Sequence, residues 1–165
     1  MFIISLFMFS ISGSAQVDAI AKYFSKYQED SDFTVVYISP KMFEMVSKLA
    51  EEEIEPEVQA IIKDLKGLRV LTTEKSPMKY YNEVTQILNL KAYEELMTIR
   101  DGKSNVRFLI KSKEDLIEEL LLLVGSEEEF VMISFVGKID LEKISKLSNS
   151  ANIEGLQHLE KIDQE

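Results

Sequence analysis

The apolar positions along the chain change their period several times, and each change marks an element. Val17, Ile20, Ala21, Phe24 and Tyr27 recur at helical spacing, which predicts an amphipathic helix from Val17 to about Gln28. Phe33 to Ser39 (F-T-V-V-Y-I-S) is β-branched and aromatic, and predicts the first strand. Ser39-Pro40 then offers an N-cap and a first-turn proline to a helix that buries Met42, Phe43, Val46, Leu49 and Ala50. A further helix begins at Pro56, carries Val58, Ile61, Ile62 and Leu65, and is stopped by Gly67. Leu68 to Thr73 predicts the second strand. Ser76-Pro77 repeats the cap-and-proline pair ahead of Tyr80, Tyr81, Val84, Ile87 and Leu88.

From Tyr93 the period falls to two. Tyr93, Met97 and Ile99 are expected on one face, and Val106, Phe108 and Ile110 return after the turn Arg100-Asp101-Gly102-Lys103-Ser104. Two unbroken apolar runs follow, Leu120 to Val124 and Phe130 to Val136, around Gly125-Ser126-Glu127-Glu128-Glu129. They predict a second hairpin. Because neither run alternates cleanly, both of its faces should be covered, which places it at the centre of a sheet with something packed on each side. Asp140 caps a last helix carrying Leu141, Ile144 and Leu147, and Ile153, Leu156, Leu159 and Ile162 give the tail a weak helical pattern or a frayed end.

Segregated helices and antiparallel hairpins predict a single α+β domain with a mainly antiparallel six-stranded sheet and helices packed against it. A doubly wound α/β sheet fits less well, since the last four strands lack crossover helices.

Composition narrows the class. The chain has 165 residues, enough for one proper core, and 45% of them are hydrophobic. Its formal net charge of −10 disfavours phosphate backbones and anionic lipid as partners, so no nucleic acid is expected. Residues 1–15 contain no charged side chain. The apolar block from Phe2 to Ile11 has the length of a signal-peptide core and falls short of a bilayer span, with Gly13 and Ala15 suitably small for cleavage before Gln16. The expected organisation is a signal peptide at 1–15, a domain at 16–150 and a tail at 151–165, with no membrane span after cleavage. The missing basic residues ahead of the apolar block depart from the signal pattern.

Chemistry is sparse. There are no cysteines and one histidine, His158 in the tail, so nucleophilic and transition-metal sets are not supported, and no cofactor or metal is expected. The 29 acidic residues leave carboxylate chemistry open, but Glu94-Glu95 and Glu118-Glu119 are adjacent on strands and point to opposite faces. If one of a pair points inward, a lysine or arginine should match it. Asp30-Ser31-Asp32 begins a calcium loop, yet Thr34 stands where its third ligand belongs. Glu51 to Glu57 reads as a solvated helix end and a new helix start. Met78, Tyr80 and Tyr81 could line a pocket or partner surface, although their helical spacing favours the core.

The stretches F-T-V-V-Y-I-S-P-K-M-F-E-M-V (Phe33 to Val46) and E-L-L-L-L-V-G-S-E-E-E-F-V-M-I-S-F-V-G-K-I-D-L-E-K-I-S-K-L (Glu119 to Leu147) resemble the DUF4252 family of exported Bacteroidetes proteins. The resemblance spans nearly all of the expected domain and implies a periplasmic or envelope protein; it supplies no catalytic residues. The expected function is a non-enzymatic interaction or sensing module with another envelope protein as partner. A carboxylate-based envelope hydrolase or small-ligand carrier is the alternative. The sequence leaves the oligomeric state open.

Overall fold

A computed structural model describes residues 17–49, 56–88, 93–113 and 116–140. Among these, four helices and six strands follow the order α1 (Val17–Tyr27), β1 (Thr34–Ile38), α2 (Pro40–Leu49), α3 (Pro56–Asp64), β2 (Leu65–Thr73), α4 (Pro77–Ile87), β3 (Glu94–Arg100), β4 (Ser104–Lys113), β5 (Leu116–Ser126) and β6 (Phe130–Ile139). The strands form one six-stranded sheet in the order β1-β2-β6-β5-β4-β3, antiparallel at every pairing. This is the expected α+β domain, and the hairpin of the two apolar runs, β5 and β6, lies at its centre. The expected signal segment, most of the acidic run, the helix after Asp140, the tail and His158 lie outside the described residues.

The main core fills the space between one face of the sheet and the pair α1 and α4. Ile20, Tyr23, Phe24 and Tyr27 descend from α1, and Tyr80, Tyr81, Val84 and Leu88 from α4 and its end. They meet Leu71, Leu109, Leu121, Leu123, Phe130 and Met132 of the sheet. The helices are tied to each other as well. Tyr23 donates a hydrogen bond to the Tyr80 carbonyl at 3.1 Å, while Lys26 and Tyr27 both donate to the Glu83 carboxylate, at 2.5 and 2.7 Å. Tyr27, Phe33 and Tyr80 close one end of this layer, with ring centroids 4.8 to 5.2 Å apart.

Local signals hold in part. The Ser39 hydroxyl accepts a hydrogen bond from the Met42 amide, as an N-cap should. Ser76 does not repeat this. Its backbone is left-handed (φ 47°, ψ 48°) and its side chain makes no cap bond, so only the proline half of the second signal operates. Gly67 does not end a helix either: α3 stops at Asp64, and Leu65 already pairs with Gly137 of β6. A side chain at Gly137 would collide with Asp64 and Leu65, so glycine there lets β6 close on the helix-to-strand junction. The expected buried stripe of α2 is also divided. Phe43 and Val46 are partly buried, whereas Met42 and Leu49 are exposed, Leu49 at 81%; Ala50 lies outside the described residues.

Gly125 belongs to β5 rather than to the turn. The Tyr81 ring lies where its Cβ would be, so the glycine makes room for an aromatic side chain of α4. The turn itself is held by Ser126, whose amide donates to the Glu129 carbonyl and whose hydroxyl accepts from the Glu128 and Glu129 amides. At the other hairpin, the Asp101 carboxylate accepts from the amides of Lys103 and Ser104, and these bonds hold its pKa below the usual aspartate value.

Candidate functional site

Strand alternation divides the sheet into two faces, and the cross-strand register shows what each presents. On the helix-covered face, one row runs Val35, Leu71, Met132, Leu123, Arg107, Thr98 from β1 to β3. Its central members are buried, and its far end becomes polar where the helices give out. Arg107 is met there by Glu95 of β3 at 2.5 Å, although this glutamate stays exposed and is not an inward carboxylate.

The opposite face differs in kind. One row reads Val36, Val70, Ile133, Leu122, Phe108, Met97, and the next Thr34, Thr72, Val131, Val124, Val106, Ile99. A third reads Ile38, Leu68, Phe135, Leu120, Ile110, Glu94. Across the six strands of these rows the only charged residue is Glu94, at a corner. Of all these side chains only Ile110 is fully buried; the rest are partly or fully exposed, with Val36 at 42% and Ile99 at 43%. Beyond the third row Ile117 and Ile139 join Ile110 in a small second core, with Leu65, Leu120 and Phe135 packed against it.

Among the described residues α1 and α4 cover one side of the central hairpin, while on the other side full burial is confined to the small cluster of Ile110, Ile117 and Ile139. The burial of β5 alternates residue by residue, so the two expected layers are unequal. The unbroken apolar run still carried information. Positions such as Leu122 and Val124 are apolar although they are only partly buried, and a strand whose outer face simply met water would have placed polar residues there.

The Met97 register also required structure. A bulge between Glu95 and Met97 puts Tyr93 and Met97 on opposite faces instead of the same one. Tyr93 turns into the main core and meets the one strongly buried carboxylate of the described residues, Glu119, exposed by 5%. The Tyr93 hydroxyl donates to one Glu119 oxygen at 2.8 Å and the Ser134 hydroxyl to the other at 2.6 Å. Burial, with the neighbouring Glu119 carboxylate, pushes the Tyr93 pKa well above the usual phenol value. Glu118 is exposed, at a bulge between Ile117 and Glu119, and it lines the depression beside Glu119.

The inward glutamate is thus matched by two hydroxyls where a lysine or arginine was expected. Its polar atoms are satisfied, and among the described residues no buried side-chain oxygen or nitrogen lacks a partner. A depression of about 310 Å³ opens beside it, lined by Lys66, Lys111, Lys113 and Lys138 together with Leu116, Ile117 and Val136. Glu119 is its sole buried carboxylate, so the paired-carboxylate arrangement of glycoside hydrolysis is not formed there.

Other sequence candidates fall into structural roles. Asp30 accepts from the Asp32 amide in a local turn, and the Asp32 carboxylate engages Lys75. Among the described residues no group of three or more His, Cys, Asp or Glu side chains converges. Tyr80 and Tyr81 are buried in the main core and Met78 packs against it. Burial raises the Tyr81 pKa, against the pull of Arg107. No helix among the described residues is long and apolar enough to cross a membrane.

No curated protein and no solved structure gives a significant match to this chain. A family model described as a domain of unknown function, DUF4252, matches residues 27–147, from the end of α1 through all six strands. The chain that builds this six-stranded sheet belongs to the DUF4252 family.

Proposed function

We propose that this protein is a non-enzymatic interaction module, exported to the cell envelope, whose working surface is the open apolar face of its sheet. The observation that carries the proposal is the set of three registered rows, which hold a single charged residue in a chain of net charge −10. Charged residues avoid the centres of protein interfaces and populate free surface, so a broad charge-free face supports contact with an apolar partner surface. The apolar block at the N-terminus supports export.

A carboxylate-based hydrolase or ligand carrier gains less support. Glu119 spends both oxygens on Tyr93 and Ser134, and its neighbours in the depression supply no second buried carboxylate.

The test is a photo-crosslinking amino acid placed at Leu122 on the open face, or at Asn82 on the exposed side of α4, with the protein expressed in its native host. A discrete adduct from position 122 and none from position 82 is the expected result. The absence of any adduct from position 122 overturns the proposal.

A further inference from the structure

Resting on that reading, we infer that the partner of the open face is a second copy of the same chain, the two sheets packing face to face across a two-fold axis that passes between β5 and β6. Size favours this occupant. With strands about 4.8 Å apart, six of them present a face ~24 Å across, and the three rows with their side chains extend ~20 Å along the strands. That is roughly 500 to 600 Å² in projection and more after side-chain relief, which approaches the ~800 Å² per partner of a standard stable interface.

A lipid surface fits less well, because anionic headgroups would meet an acidic protein.

The chemistry of the face also suits self-pairing. An isologous contact brings only the residues beside the axis near their own symmetry mates, so any charge close to the axis would face its like. The central pair of the middle row, Ile133 and Leu122, is apolar, and the one charge, Glu94, lies on the edge strand β3 far from the axis. The product is a four-layer sandwich with α1 and α4 of each copy outermost and two sheets, about 10 Å apart, within.

The chain has no cysteine, so a single Leu122→Cys substitution in the protein as purified from its host reports directly on the face. Light scattering is expected to give twice the monomer mass. A bismaleimide long enough to span two packed sheets is expected to join Leu122→Cys chains into covalent dimers and to leave an Asn82→Cys control unjoined. Leu122→Glu, placed near the axis and so present twice in the contact, is expected to give a monomer with an unchanged circular-dichroism spectrum. A wild-type protein that stays monomeric at every concentration overturns the inference. A dimer that links through Asn82→Cys and not through Leu122→Cys overturns it too. If the wild type is monomeric yet a photo-probe at Leu122 still yields a discrete adduct with a different protein in the host, the interaction-module reading stands and only the identity of its partner fails; a monomer without any adduct ends both.

Discussion

The two faces of the sheet are built from the same strands and obey opposite rules. Leu121 and Leu122 are chain neighbours, yet Leu121 is completely buried under the helices while Leu122 lies on the open side. The helix-covered face tolerates polar and charged residues where a partner is close: Ser134 and Tyr93 for Glu119, and Glu95 for Arg107. The open face carries almost none, although water could have solvated them. A polar group is admissible in a finished core when its bonds are made, and is costly in a surface that will be desolvated against something without matching donors and acceptors. The apolar character of the open face is what the proposed contact requires, and the mixed character of the other belongs to a core whose polar groups are already bonded.

The sharpest way to break this contrast is to truncate the two neighbours. Leu121→Ala should cost about 3 kcal/mol of unfolding free energy, because the surrounding helices leave a cavity behind. Leu122→Ala should cost less than half as much in dilute solution, and urea titrations at two protein concentrations measure both. Equal costs would mean that the open face is already buried within one chain.

Gly125→Ala tests the fit of the covered face from the other direction, by adding a single methyl group against the Tyr81 ring. Overpacking of this kind should destabilise the protein by roughly 1 to 3 kcal/mol. Combining it with Tyr81→Ala should cost much less than the sum of the two changes, since the ring that clashes is gone. Additive losses would remove the explanation.

Replacing Glu119 probes the polar island. Glu119→Ala leaves two buried hydroxyls without an acceptor and should cost about 2 kcal/mol, whereas Glu119→Gln keeps one carbonyl acceptor and should cost less. Thermal melts of the two variants rank them, and a larger loss for glutamine than for alanine would contradict the hydrogen-bond account.

The smallest effect concerns the clamp between α1 and α4. Burial raises the Glu83 pKa, but the Lys26 ammonium and the Tyr27 hydroxyl outweigh it, and the net result lies below the usual glutamate value. A carboxyl depressed in the folded state contributes stability above its unfolded pKa and loses it as pH falls through the folded one. Stability should therefore decline on the acid side of the ordinary glutamate range, and Glu83→Gln should flatten that part of the profile. The pair is largely solvent-exposed on the lysine side, so the loss at neutral pH should stay below about 1 kcal/mol. Unfolding free energy measured across the acid range checks the sign.

The sequence by itself determined the elements and their class. Helical period in Val17 to Tyr27, β-branched runs at Phe33 to Ile38 and Leu68 to Thr73, and two hairpin turns were enough for a six-stranded antiparallel α+β domain with β5 and β6 central. These are local signals, set by backbone sterics and by the need of each element to hide one side. The tertiary structure alone decided how the elements meet. The bulge that separates Tyr93 from Met97, the place of Gly125 beneath Tyr81 and the pairing of Leu65 with Gly137 all depend on neighbours distant in sequence. So does the fate of the central hairpin. Its unbroken apolar runs said that both faces avoid water, and they could not say that α1 and α4 would cover only one. A strand records in its residues that a surface must be buried, whereas what buries it depends on the path of the rest of the chain and on what lies beyond it.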